Sequence, residues 1–222
     1  MNENKRKVAL VSPTDDHTKE VIQRAIDDDV AQFECFYGDD ASAMAVECVR
    51  SGGADLLMKG AVNTDVLLRA ALDKEHGILQ PGRVMTHISV ANIPGWQRPL
   101  IFSDAAVIPH PDILQMDAIV SYTVEAARNL GIATPKVALT NFTEKENPKF
   151  PQTAVYQEIR CRAAEGLYGD VVIGGPMDVK TALDSESGTI KGIDSPVVGN
   201  ADILIFPNIE AGNTFYKTLT LF

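Results

Sequence analysis

The sequence predicts an α/β protein built on parallel sheets. Three observations lead there. Short apolar runs alternate with segments of helical period along all 222 residues. Several of those runs are apolar at nearly every position, as strands covered on both faces are. Hydrophobic residues make up 45% of the chain, enough for a sizeable core.

The elements follow in order. VALVS (8–12) reads as a strand, and Val21, Ile22, Ala25 and Ile26 then form the stripe of a half-buried helix. FECFY (33–37) reads as a second strand, followed by a helix with Met44, Ala45, Cys48 and Val49 inward and Gly52-Gly53 as its stop. ADLLM (54–58) has the pattern of a central parallel strand, and Asn63 or Thr64 caps the helix carrying Val66, Leu67, Ala70 and Ala71. Val84–Val90 and Pro99–Phe102 read as strands joined around Pro94-Gly95, and a long helix runs from about Pro111 to Leu130. After Pro135 the pattern restarts. A strand at 136–139, a helix with Val155, Ile159 and Ala163 inward, a strand at 170–173, a Gly-Gly-Pro turn, a Ser/Gly-rich loop, and a strand at 201–206 follow. The last helix is expected to open near Gly212-Asn213, and its apolar end calls for a covering surface or a continuing chain. A boundary near Thr134 gives two α/β units, 1–133 and 134–222.

The net charge of −10 argues against non-specific binding to nucleic acid or an anionic membrane. Cys35, Cys48 and Cys161 are odd in number and lack C-x-x-C spacing, so they are expected to be small buried groups in a reducing compartment. The four histidines form no ligand pair, so no metal is expected. No signal-peptide pattern is present, and no run approaches the roughly 18 apolar residues of a spanning helix. A cytoplasmic protein is the expectation.

Ligands of open parallel sheets bind beyond the carboxyl ends of the strands, so the polar groups there are the candidates. They are Lys59, Gly60, Asn63 and Thr64; Ser103 and Asp104; Thr140, Asn141, Thr143, Glu144 and Asn147; and Pro207, Asn208, Glu210, Gly212 and Asn213. A lysine and a glycine before a helix N-terminus suit phosphate, although a surface lysine and a simple Thr64 cap fit equally. Glu210-Ala-Gly212-Asn213 suits an anion or a carbonyl, or serves as a cap. Ser103-Asp104 fits a capped turn. Arg98 either binds phosphate or stacks on Trp96, and His87 reads as a satisfied core histidine. Neither a Walker A loop nor G-x-G-x-x-G occurs.

Several long motifs resemble one family, the phosphate acetyl/butyryl transferases. GADLLMKGAVNTDVLLRAAL (53–72) is similar to its A-D-x-L-M-K-G…T…L-R-A segment. PGRVMTHISV…RPLIFSDAAV (81–107), EKENPKFPQT (144–153) and KGIDSPVVGNADILIFPNIEAGNTFYK (191–217) are similar to further blocks in the same order. The LMKG and THI forms resemble the butyryl branch.

The resemblance implies exchange of a short acyl group between coenzyme A and inorganic phosphate to give acyl phosphate. It implies two domains of the isocitrate/isopropylmalate dehydrogenase-like kind around a cleft, a homo-oligomer, and no cofactor beyond coenzyme A as substrate. Carried onto this chain, Asp104, Asn147 and Glu210 are the expected catalytic residues. Lys59, Gly60, Thr64, Arg98, Ser103, Gly212, Asn213 and Lys217 are the expected substrate-binding ones. The family's G-L-R-x-G run is GILQPG here (77–82), and Gly174 and Lys180 stand where acidic residues are usual. The family pattern continues to a Ser-Arg segment beyond Phe222, so the second domain is expected to be incomplete. The alternative is a non-catalytic or partner-dependent binding protein of the same fold.

Overall fold

A computed structural model of the chain describes residues 5–94, 96 and 98–221. The chain separates into two compact units, one ending at Arg83 and the other beginning at Val84.

Unit 1 holds strands β1 (Arg6–Val11), β2 (Ala31–Phe36) and β3 (Leu56–Lys59) and helices α1 (Asp16–Asp27), α2 (Ala41–Arg50) and α3 (Thr64–Ala71). The strands form a parallel sheet in the order β2-β1-β3. The central strand is therefore β1, whose last four residues are buried, and not the apolar run at 54–58. That run ends in the edge strand β3, which leaves Leu56 about half exposed. One core cluster of this unit joins Ala9, Val11, Ala41, Ala45, Ala54 and Leu67, and Val8, Leu10 and Val46 are buried as well. α1 is capped by Asp15 yet buries no residue completely, and Val21 and Ile26 stay exposed.

Unit 2 holds β4 (Ser89–Ala91), β5 (Leu100–Ser103), α4 (Ile113–Asn129), β6 (Lys136–Thr140), α5 (Gln152–Ala164), β7 (Val172–Met177), α6 (Val179–Leu183), α7 (Ser185–Lys191), β8 (Ile203–Ile205) and α8 (Ile209–Leu219). Its sheet runs β4-β5-β8-β6-β7, parallel except for the antiparallel edge strand β4. Alternate residues of β5, β6 and β8 feed two cores, which explains their unbroken apolar sequence. Ile101, Val137, Leu139, Ile203 and Ile205 pack with α4 and α5. Leu100, Phe102, Ala138 and Leu204 pack with α6 and α8.

Several boundaries differ from the sequence reading. β5 belongs to the same sheet as β6 and β8, which moves the division of the chain from 133/134 to 83/84. Of the stretch 84–90 only Ser89 and Val90 pair as strand, continued by Ala91, although Val84 and Ile88 still pack against a core. The Gly-Gly-Pro motif lies inside β7, not in a turn after it. A Cβ on Gly175, which has φ +117°, would stand 2.5 Å from Leu139 O, so glycine is required there, and one on Gly174 would stand 2.8 Å from Ser195 Oγ. The Ser/Gly-rich stretch folds as α6 and α7, capped by Asp178 and Asp184. α8 opens earlier than expected, with Asn208 as its cap, which puts Gly212 and Asn213 inside the helix. Cys35 and Cys161 are exposed and Cys48 is half-buried; β2 is an edge strand, which leaves one side of Cys35 open. Among the described residues no helix is long and apolar enough to cross a membrane.

Candidate functional site

In unit 1 the candidates gather where β3 meets α3. Lys59 closes β3, and its ammonium donates to Gly60 O at 3.2 Å. Gly60 is required by contact, since a Cβ would lie 2.5 Å from Val11 O and 2.7 Å from Ser12 O. Asn63 is the cap of α3, its Oδ1 accepting from Asp65 N at 3.2 Å, and Thr64 opens the helix exposed to solvent.

In unit 2 the loop after β5 is locked to α8. The Asp104 carboxylate is buried and accepts from Thr86 Oγ1 at 2.8 Å and from the backbone N–H groups of His87, Ala106, Val107 and Ile108. Ser103, also buried, donates through Oγ to His87 O at 2.8 Å. Asn213 Nδ2 donates to Ala105 O at 2.9 Å, and Gly212 sits against the Asp104 carbonyl. With both oxygens occupied, Asp104 holds the loop in place and has no lone pair left over for proton transfer. Glu210 is exposed in the first turn of α8, with Oε1 3.7 Å from His110 Nε2. Lys217, also exposed, has Nζ 4.9 Å from the Tyr216 ring centroid. Asn147 shapes the loop between β6 and α5: its Oδ1 accepts from Lys149 N at 2.9 Å, and its carbonyl accepts from Phe150 N at 2.8 Å.

Arg98 does not join this group. It precedes β5 and pairs through Nη1 with the buried Asp202 at 3.1 Å. Asp202 precedes β8 and accepts from Lys136 N at the start of β6. Arg98 thus lies at the amino ends of the strands, on the sheet edge opposite Ser103 and Asp104. It neutralises a buried carboxylate there. His87 differs from the reading as a satisfied core group: it is half-buried, its ring edge meets Tyr216, and Nδ1 is covered with no hydrogen-bond partner.

A cavity of about 780 Å³ opens at the carboxyl ends of β6, β7 and β8. Phe142, Phe150, Phe206 and Phe215 are the aromatic residues of its wall, and Asn141, Gln152, Asn208 and Thr214 are among its polar ones. Its floor is braced, because Tyr156 OH donates to Thr140 O and Thr140 Oγ1 donates to Ile205 O. Asp178 at its edge caps α6 and is ion-paired with Lys191, which also reaches Glu144. Burial pushes the Asp178 carboxyl up, but hydrogen bonds from Lys191 and Thr181 outweigh it and hold the group below its ordinary range. Asn141 and Asn208 follow apolar strands and were legible as strand-end groups. Phe142, Phe150, Gln152, Thr214 and Phe215 were not, although two phenylalanines in an otherwise polar loop are the signal that marks such a wall. Among the described residues no cluster of three His, Cys, Asp or Glu side chains is placed to hold a metal ion.

Comparison with known proteins agrees with this architecture. The chain is 33% identical to the phosphate acetyltransferase of Thermotoga maritima over 96% of its own length and 81% of that protein. It is 39% identical to the phosphate butyryltransferase of Clostridium acetobutylicum over 81% of its own length and 60% of that protein. Among solved structures, a branched-chain phosphotransacylase from Enterococcus faecalis superposes with a TM-score of 0.83 at 26% identity, covering 98% of this chain and 84% of that one. The chain therefore spans between about three fifths and four fifths of these relatives. A family model described as "Phosphate acetyl/butaryl transferase" matches residues 5–222, and the chain belongs to that family.

Proposed function

We propose that this chain exchanges a short acyl group, butyryl or one of similar size, between coenzyme A and inorganic phosphate. The observation that carries the reading is the family match over residues 5–222, which takes in every strand-end group described above. In the forward direction a phosphate oxygen attacks the thioester carbonyl and the carbonyl oxygen gains charge. The C–S bond then breaks, releasing acyl phosphate and the coenzyme A thiolate, which takes up a proton. The reverse direction needs that thiol, of pKa about 8.5, deprotonated.

Lys59 and Thr64, at the positive end of α3, are assigned to phosphate, with Gly60 giving the backbone close approach. Glu210, whose carboxylate is exposed in the first turn of α8, is assigned the proton transfer. Asn213 and Lys217 follow at helical spacing on α8 and are assigned to the substrate's polar groups. Asp104, Ser103, Gly212 and Asn147 position the loops that carry these groups. Arg98 is assigned no part in the reaction. The reading uses no cofactor beyond coenzyme A as substrate. The finer architecture is read as isocitrate/isopropylmalate dehydrogenase-like, and the protein as a cytoplasmic homo-oligomer.

The test is thiol release from butyryl-coenzyme A with and without phosphate. Phosphate-dependent release is expected, and Glu210→Gln should lower its rate by about 100-fold or more while leaving coenzyme A affinity in place. Release that ignores phosphate, or none at all, rejects the enzyme and favours a binding protein of the same fold.

A further inference from the structure

We propose that residues 142–146, between β6 and α5, are a strap that Lys191 latches, so that one side of the cavity of unit 2 opens and closes with a single ion pair. Both ends of the strap are fixed. Asn141 N donates to Met177 O at 2.8 Å, which ties its start to the end of β7. Asn147 N donates to Thr153 Oγ1 at 3.1 Å and Phe150 N to Asn147 O at 2.8 Å, which tie its end to the start of α5. Pro148 and Pro151 stiffen the chain there. The span between is different. Among the described residues its backbone makes no hydrogen bond to the rest of the unit, and Lys145 N turns back to Thr143 Oγ1 at 3.3 Å. Phe142 is 71% exposed and meets Phe150 edge to face. The polar tie to the rest of the unit is Glu144, which accepts from the Lys191 ammonium at the end of α7.

The position of that ion pair gives it leverage. Phe142 lines the large cavity, whereas Glu144 lines a second hollow of about 380 Å³ with Arg160, Gly174, Pro176 and Asp194. The neighbours Asp178 and Met177 are divided in the same way. Lys191 binds Glu144 and Asp178 at once, so it closes the strap where the two hollows adjoin. Asp178 is the fixed half of the latch, because it also caps α6 by accepting from Thr181 N at 2.7 Å. Neighbouring cations are engaged elsewhere: Arg160 donates to Gly175 O, and Lys180 pairs with Asp184. About a third of each of the three latch side chains is exposed. Partial burial makes the pair stronger than a fully solvated one, yet salt still reaches it. Once it breaks, the strap keeps only the solvent-reached contact of Phe142 with Phe150. It then swings about Asn141 and Asn147 and joins the two hollows.

Chymotrypsin cleavage after Phe142 in the folded full chain tests this, with cleavage after Tyr37, exposed in unit 1, as the internal reference. Where opening is fast relative to cleavage, the rate follows the population of the open form. Glu144→Gln removes the strap's half of the latch and leaves Lys191 paired with Asp178. At about 0.05 M salt it should speed cleavage after Phe142 about fivefold, and Lys191→Met should do the same. The parent should approach both variants at about 1 M salt, where the Debye length is about 3 Å, while the variants hardly respond. Cleavage after Tyr37 should match in all three proteins. Equal rates after Phe142 in the parent and Glu144→Gln overturn the latch, and so does a parent rate that ignores salt. Faster cleavage at both sites means general loosening and overturns it as well. No substrate enters the experiment, so its outcome is separate from that of the thiol-release test.

Discussion

Gly212 shows how one missing methyl can set the geometry of a site. A Cβ there would stand 2.1 Å from the Asp104 carbonyl oxygen, far inside contact distance, so α8 lies on the loop after β5 only because the residue is glycine. In an open helix Gly→Ala stabilises by up to about 1 kcal/mol, whereas overpacking costs about 1–3 kcal/mol. The contact term wins here. Gly212→Ala is expected to lower the melting temperature by several degrees; an unchanged or raised value would contradict the close approach. Lys191 makes a second prediction. Its hydrogen bonds to Asp178 and Glu144 raise its own pKa, and Asp178 is held below its ordinary value. Stability from the lowered carboxylate is present above its unfolded pKa, near 3.9, and is lost as pH falls through the folded value. Stability from the raised ammonium is present below its unfolded pKa, near 10.4, and is lost as pH rises through the folded value. The stability gap between the parent and Lys191→Met should therefore be flat from about pH 5 to 9 and close at both extremes. Chemical denaturation across pH checks it. At this scale the sequence revealed residue type and missed partnership. Ser103-Asp104 was readable as a turn, because Asp104 accepts from the backbone N–H groups of Ala106, Val107 and Ile108 just after it; its ties to Thr86 and His87 were not. The pairing of Arg98 with Asp202 was not, because the two meet only once β5 and β8 lie side by side.

Elements were legible where period and caps agreed. α4 has a capping box, Asp112 with Gln115, and buries Met116, Ile119, Val120, Thr123, Val124 and Ala127 at helical spacing. α6 and α7 escaped detection because they are short and rich in Ser, Thr and Gly, and tertiary contact holds them: a Cβ on Gly188 would meet Val198 at 2.0 Å. α1 is the opposite case. Its apolar stripe promised a buried face, yet the helix buries no residue completely. Helix stability comes mainly from packing of the apolar face and less from propensity, so the two helices should differ in opening free energy. Hydrogen–deuterium exchange is expected to show α1 amides exchanging at least 100-fold faster than those in the middle of α4. Equal protection would mean that α1 is covered in solution, as a homo-oligomer could do, and sizing by light scattering would show it.

The chain as a whole was legible as a class and misread in its division. The restart after Pro135 is real, because β6 does open a new βα segment, but it is a restart within one sheet. A sequence pattern records the alternation of strands and helices and not which strands pair, so β5 was assigned to the wrong side. The true division, at Arg83/Val84, separates two cores of different quality. The core of unit 1 is smaller, with Ala9, Ala41, Ala45, Ala54 and Ala71 beside Val8, Leu10, Val11, Val46 and Leu67 and no buried aromatic among the described residues, while that of unit 2 includes Phe102, Met116, Ile119, Leu139, Tyr156, Ile159, Met177 and Leu204, all almost fully buried. Buried apolar area stabilises by about 25 cal/mol per Å², and an alanine contributes far less of it than a leucine or phenylalanine. Unit 1 should consequently lose structure at lower urea than unit 2. The single tryptophan, Trp96, belongs to unit 2, so its fluorescence reports that unit alone, whereas the far-ultraviolet circular dichroism reports the helices of both. The dichroism is expected to begin falling before the fluorescence changes, and the two curves should not superpose. Coincident curves, or fluorescence changing first, would contradict a weaker core in unit 1.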